Sequence, residues 1–292
     1  MTDKPIVVGY DWSPGAEAAQ RWALDEAGRT GAPVRIVHVF EWPLHVAAVS
    51  PGPPGYPDAE LRRETEARLA EAASTAQAAR PALDVSATVV DGPTILALLE
   101  QSRRARVMVL GNRGRGGFAG LMLGSVGVAV SAHAHSPVVV VRGHERPADS
   151  GAPVVVGVDG SPDSLIAAGY AFEAAASRGV GVEAVRAWTP PAAPWHTDVR
   201  PLAVDADELA ASERHALTDS LAGWREKYPD VPVRTHIVAG GAARAMIGMS
   251  RSAQLVVVGS RGLGGFRGLL LGSVSQQLLH HADCPVAVVR EG

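Results

Sequence analysis

The amino-acid sequence predicts an α/β protein built as two copies of one domain, and three observations predict it. Ile6-Val7-Val8-Gly9-Tyr10-Asp11-Trp12-Ser13-Pro14 recurs as Val154-Val155-Val156-Gly157-Val158-Asp159-Gly160-Ser161-Pro162, an offset of 148 residues. Leu110-Gly111-Asn112-Arg113-Gly114 recurs at the same offset as Val258-Gly259-Ser260-Arg261-Gly262. Within each half, short β-branched runs alternate with stretches of helical periodicity. Between 111–142 and 259–290 about 19 of 32 positions are identical without a gap. Solenoid repeats run to roughly 20–50 residues, so a period of this length marks duplication of a whole domain. The domains are predicted at 1–143 and 152–292, with a short polar linker at 144–151.

Each element has a local reason. Pro5–Tyr10 is a β-branched first strand. Pro14–Gly28 is a helix, with Ala16, Ala19, Ala23 and Ala27 on or near one face, started by Ser13 as N-cap and Pro14 at the first helical position. Pro33–Phe40 is the second strand. Asp58–Arg80 is a long helix rich in Ala, Glu and Arg, stopped by Pro81. Leu83–Val90 is the third strand, Thr94–Arg104 a helix, Arg106–Leu110 the fourth strand, Gly124–His135 a helix and Pro137–Val141 the fifth strand. The second half repeats the order. Continuous runs such as Val107-Met108-Val109-Leu110 and Leu255-Val256-Val257-Val258 suit parallel strands covered on both faces. Strand–helix alternation makes right-handed crossovers the default. The long irregular stretches 42–57 and 189–206 are expected to be surface loops, the first rich in proline.

Composition narrows the class. Hydrophobic residues make up 47% and charged residues 20%, a globular balance that excludes a disordered chain. No apolar run reaches the roughly 20 residues of a membrane span. Met1-Thr2-Asp3-Lys4-Pro5 leads directly into a strand, so no signal peptide is expected. The single cysteine, Cys284, cannot close an internal disulfide. A soluble cytoplasmic protein is expected. The net charge of −3 argues against a dominant nucleic-acid surface. Neither half is a basic module, with 15 basic and 15 acidic groups in 1–148 and 12 and 15 in 149–292.

The glycine segments carry the strongest chemical signal. They read Gly111-x2-Gly114-x9-Gly124-Ser125 and Gly259-x2-Gly262-x9-Gly272-Ser273, each running from the end of the fourth strand to the start of a helix. Glycines let backbone N–H groups approach a phosphate, and a helix N-terminus adds unpaired donors and positive potential. A single copy is equally well explained by tight turns. Two copies with identical spacing favour the phosphate reading. A Walker A loop is excluded, because Gly120-Leu121-Met122-Leu123-Gly124-Ser125 lacks the lysine and is one spacer short. A dinucleotide fingerprint is excluded by Arg267 and by the position after the fourth strand rather than the first.

Asp11 and Asp159 stand at the ends of the first strands, each separated by a single residue from Ser13 or Ser161. The serines account for helix capping, which leaves each aspartate without a structural assignment. Strand C-termini in an α/β sheet are where ligands bind. A carboxylate there could accept from a ribose hydroxyl or hold Mg²⁺ near phosphates.

Together these residues resemble the universal stress protein family, in its tandem two-domain, ATP-binding form. The resemblance covers both halves nearly end to end. It implies in each domain a five-stranded parallel sheet, ordered 3-2-1-4-5 and flanked by helices, with ATP across the strand ends. It implies ribose or metal contact by Asp11 and adenine contact by Val39. Gly111, Gly114, Gly124 and Ser125 would hold sugar and phosphates. In the second domain Asp159, Ala187, Gly259, Gly262, Gly272 and Ser273 take those places. Apart from the resemblance, Arg113 and its counterpart Arg261 sit inside the loops, where each could equally touch phosphate or stay solvated. The resemblance also implies that the two fifth strands pair and that chains dimerise. Two departures stand out: Trp12 occupies the position of the small Gly160, and Pro93 is replaced by Gly241.

The histidines and the cysteine carry weaker signals. His133 and His135 point in different directions on a helix, and His280 and His281 are adjacent, so neither pair suits zinc. His38 matches Arg186, which argues against a shared catalytic role. Cys284 reads as an inert core thiol. The resemblance thus implies a nucleotide-dependent regulator in stress or growth control, binding ATP with Mg²⁺ in each domain, as a homodimer with an unidentified regulatory partner. No catalytic residue is assigned, and at most weak ATP hydrolysis is expected. Alternatives are a slow ATPase or nucleotidyl-transfer enzyme on the same pockets, and an interaction protein with vestigial pockets.

Overall fold

A computed structural model describes residues 4–41, 56–114, 123–142, 151–188, 206–264 and 271–291. The chain divides into two compact units, one through residue 143 and one from 144 to 291. In the first unit the order is β1 (Ile6–Gly9), α1 (Pro14–Thr30), β2 (Val34–Phe40), α2 (Tyr56–Ala79), β3 (Val85–Asp91), α3 (Thr94–Ser102), β4 (Val107–Gly111), α4 (Ser125–His133) and β5 (Val138–Val141). In the second it is β6 (Val154–Gly157), α5 (Pro162–Arg178), β7 (Val182–Trp188), α6 (Ala206–Lys227), β8 (Val233–Ala239), α7 (Ala242–Met249), β9 (Leu255–Gly259), α8 (Ser273–His281) and β10 (Val286–Val289). A short 3-10 turn, Ser250–Ser252, follows α7. The predicted linker at 144–151 falls outside the described residues except for Gly151, and so does most of both predicted surface loops.

Within the first unit every pairing is parallel. β1 pairs with β2 on one side and β4 on the other, β2 also pairs with β3, and β4 with β5. Val8, for example, lies between Ile36 and Val109. The second unit repeats this, with β6 between β7 and β9, β8 beyond β7 and β10 beyond β9. Right-handed crossovers then put α1 and α2 on one face and α3 and α4 on the other, because the chain reverses its direction of travel between β1 and β4. That reversal leaves a crevice at the carboxyl ends of β1 and β4. Fully buried Ile6, Ile36, Leu69 and Met108 fill the first core, and Phe172, Leu217, Leu221, Met246 and Leu255 the second.

Helix ends refine the boundaries expected from sequence. Ser13 caps α1 by accepting from the Ala16 N–H at 3.1 Å. α1 does not stop at Gly28 but runs to Thr30, where Gly31 takes the left-handed conformation (φ 70°) and returns its N–H to the Ala27 carbonyl at 2.8 Å. A glycine inside a helix costs only about 1 kcal/mol, so Gly28 is passed through. α4 ends at His133, because Ala134 is extended; His135 is therefore not helical. No helix among the described residues is long and apolar enough to cross a membrane.

Candidate functional site

The turn from β1 into α1 is organised by Asp11. Its Oδ1 accepts from the Ser13 N–H at 3.1 Å and from the Ser13 hydroxyl at 2.6 Å. The same hydroxyl lies 3.0 Å from the Arg113 carbonyl, 100 residues away in sequence. One serine thus caps a helix, binds the aspartate and ties the turn to the loop after β4. The second unit repeats the device. Asp159 Oδ1 accepts from the Ser161 N–H at 3.0 Å and hydroxyl at 2.6 Å, and its Oδ2 accepts from the Leu263 N–H at 2.9 Å. Burial pushes the Asp159 carboxyl up, but the bonds from Ser161, Leu263 and Ser164 together outweigh it and hold the group below the usual carboxylate range.

The other face of each aspartate meets the glycine loop. A Cβ on Gly114 would stand 2.6 Å from Asp11 Oδ2, and one on Gly262 would collide with Asp159 Oδ2. The loop can therefore close on the carboxylate only where there is no side chain. Gly111 ends β4 against the backbone of Gly15, and Gly259 ends β9 against Asp163. Gly124 is the N-cap of α4 and donates its N–H to the Asn112 carbonyl at 2.8 Å; no side chain caps the helix. Gly272 does the same for α8, bonding the Ser260 carbonyl at 2.8 Å. Ser125 and Ser273 open these helices, so their first-turn N–H groups face out of a glycine corner.

In the first unit these parts enclose a cavity of about 640 Å³. Asp11, Val39, Gly111, Arg113, Gly114, Gly124 and Ser125, the seven residues predicted there, all line it. A volume of this order suits a small organic ligand. In the second unit Asp159, Arg261, Gly262 and Gly272 meet around the equivalent loop. Ala187 stands at the end of β7, in register with Val238. Arg113 and Arg261 are exposed.

Sequence reasoning missed the rim and floor. Leu98 of α3, Leu110 and Leu123 supply apolar lining. Glu41 accepts from the Thr94 N–H at 2.5 Å, joining the end of β2 to the start of α3; this bond lowers the Glu41 carboxyl. His38 also lines the cavity and holds the Tyr10 carbonyl at 2.7 Å. Behind it lies the Trp12 indole, 4.5 Å from His38 centroid to centroid, with the Arg68 guanidinium 4.7 Å over its ring. In the second unit Gly160 replaces the indole and Arg186 pairs with Glu213. The signal for these differences lies in the comparison of the two halves, where Gly15 also aligns with Asp163.

Among the described residues no group of three or more His, Cys, Asp or Glu is placed to hold a metal ion. Asp11 and Asp159 are each a single carboxylate at the loop. Cys284 is buried, and burial pushes its thiol up to about 12.

The model of the universal stress protein family matches residues 3–142 and again 152–290. The chain belongs to the universal stress protein family. Universal stress protein Rv2005c of Mycobacterium tuberculosis is 38% identical over 297 residues, covering 98% of this chain and 97% of the relative. A universal stress protein of Mycolicibacterium smegmatis is 36% identical over 299 residues, covering 99% and 98%. The crystal structure of a universal stress protein from Archaeoglobus fulgidus superposes with a TM-score of 0.73 at 19% identity over the whole of both chains, a likeness of fold. The two units are thus universal stress domains in tandem, and stress- and growth-related function is the general class of this protein.

Proposed function

We propose that each universal stress domain binds ATP across the carboxyl ends of its first and fourth strands, and that occupancy regulates the protein's action in stress or growth control. The observation that carries this reading is the convergence of Asp11, Val39, Gly111, Gly114, Gly124 and Ser125 on one cavity of about 640 Å³. The cavity combines an apolar wall for a base, a carboxylate for ribose hydroxyls, and a glycine corner where a phosphate can meet the uncapped start of α4. The second domain uses Asp159, Ala187, Gly259, Arg261, Gly262, Gly272 and Ser273 in the same way.

The residues fit Mg²⁺ only as a companion of the nucleotide. Mg²⁺ is commonly held by one or two carboxylates together with phosphates and water, and each crevice offers one aspartate. Bound there, the ion would offset phosphate charge. The loops lack the P-loop lysine, so the reading favours a binding module over fast phosphoryl transfer. A cytoplasmic homodimer that signals to a protein partner completes it.

Native mass spectrometry of the freshly purified full chain tests the proposal. Increments for two ATP per chain are expected. No increment, with no thermal shift on added ATP and Mg²⁺, overturns it.

A further inference from the structure

The two crevices differ at the buried position held by Asp163 in the second. Asp163, in the first turn of α5, is 7% exposed. Its Oδ2 accepts from the Ser260 hydroxyl at 2.7 Å and the Arg261 backbone N–H at 3.2 Å, and its Oδ1 accepts from the Glu291 N–H at 3.2 Å. The matching residue in the first unit is Gly15, where a Cβ would stand 2.7 Å from the Arg113 carbonyl oxygen. The first loop therefore packs backbone on backbone, whereas the second is built around an internal carboxylate.

Two consequences follow for an anion at the second loop. The Arg261 N–H is already committed to Asp163, whereas Gly15 has no side chain to accept from Arg113. A fixed negative charge also touches the backbone between Gly259 and Gly262, where the proposed phosphates would lie. Charges act strongly at such range in a partly buried site. Both Asp163 oxygens already accept hydrogen bonds from the protein.

We propose, resting on the nucleotide reading above, that Asp163 tunes the second crevice toward nucleotides with few phosphates, such as nucleoside monophosphates, so that it holds ATP more weakly than the first crevice does. Asp163 acts as a specificity-determining residue through charge at the loop.

Calorimetric titration of the full-length chain tests this. Asp11→Ala silences the first crevice and Asp159→Ala the second. The crevice left by Asp11→Ala is expected to bind ATP more weakly, relative to AMP, than the crevice left by Asp159→Ala does. Adding Asp163→Asn to Asp11→Ala removes the charge but keeps the shape and one acceptor. ATP affinity should then rise about fivefold, with adenosine affinity unchanged, because the effect follows ligand charge. A purely structural prop would instead weaken both ligands. Unchanged or weakened ATP binding in that variant overturns the inference. Should the variant fail to fold, the comparison of the two crevices decides alone, and ATP binding in the second as tight as in the first overturns it. Absence of nucleotide binding in the unsubstituted chain sinks the nucleotide reading and this inference together.

Discussion

Gly114 is in contact with the carboxylate of Asp11, and a Cβ on the glycine would stand 2.6 Å from Oδ2. Gly114→Ala therefore displaces the carboxylate rather than the backbone. The aspartate tip can swing away, so stability should fall by no more than about 1 kcal/mol, at the low end of overpacking costs. Hydrogen bonds to a charged group contribute about 1.5–3 kcal/mol, so nucleotide affinity in the first crevice should fall at least about tenfold. Thermal denaturation and ATP titration on the same preparation check the two effects. A large loss of stability with unchanged affinity would contradict the argument.

The parts legible in the sequence are those set by local chemistry or by the repeat. Ser13 and Pro14 announce the start of α1, and the β-branched runs announce the strands. The duplication picks out both glycine loops. The end of α1 is not legible in this way, because Gly28 and Gly31 look alike in sequence and only the left-handed turn at Gly31 distinguishes them. The cavity's Leu98, Glu41 and Thr94 carry no motif spacing, since they come from β2's end and α3 and meet only through the fold. Asp163 reaches residues 97 and 128 positions away, a relation no local pattern encodes.

Asp159 gives the second domain a defined acid dependence. Its hydrogen bonds hold the folded-state carboxyl below the ordinary value of 3.8. A depressed carboxyl stabilises the folded state fully above the unfolded value and loses that contribution as pH falls through the lower folded value. The stability gap between the natural protein and Asp159→Asn should therefore be constant from pH 7 to about pH 5 and shrink below about pH 4. Thermal melts across that range measure it. A gap that widens on acidification would contradict the sign.

The buried Cys284 thiol, pushed up to about 12, stays protonated at pH 8, and the thiolate is the reactive form. Labelling by a disulfide reagent should be slow in the native protein and fast once denaturant exposes the residue. Rapid labelling of the folded chain would show that the thiol is neither buried nor protonated. Cys284→Ser should cost no more than about 1 kcal/mol, because the hydroxyl can donate to the Pro285 carbonyl as buried Ser136 does to Pro137 in the first unit.

Trp12 sets two opposing terms against each other. It is the one non-glycine residue with positive φ among the described residues, at 60°, where its counterpart Gly160 has 90°. A side chain in the left-handed region costs roughly 1–2 kcal/mol. The indole offsets this by packing edge-on to Tyr10 at 5.7 Å, lying 4.5 Å from His38 and carrying Arg68 over its face. Aromatic pairs contribute about 0.5–1.5 kcal/mol each and an exposed cation–π contact about 0.5–1 kcal/mol. Trp12→Ala loses these contacts and keeps the strain. Trp12→Gly loses the same contacts and relieves the strain. Glycine should therefore be the less damaging replacement, by about 1 kcal/mol, the reverse of the order found inside a helix or strand. Denaturant midpoints of the two variants test the ordering, and a more stable alanine variant would mean that position 12 does not need the left-handed conformation. Because the indole also backs His38 in the cavity wall, both variants should loosen ligand binding in the first crevice while leaving the second unchanged.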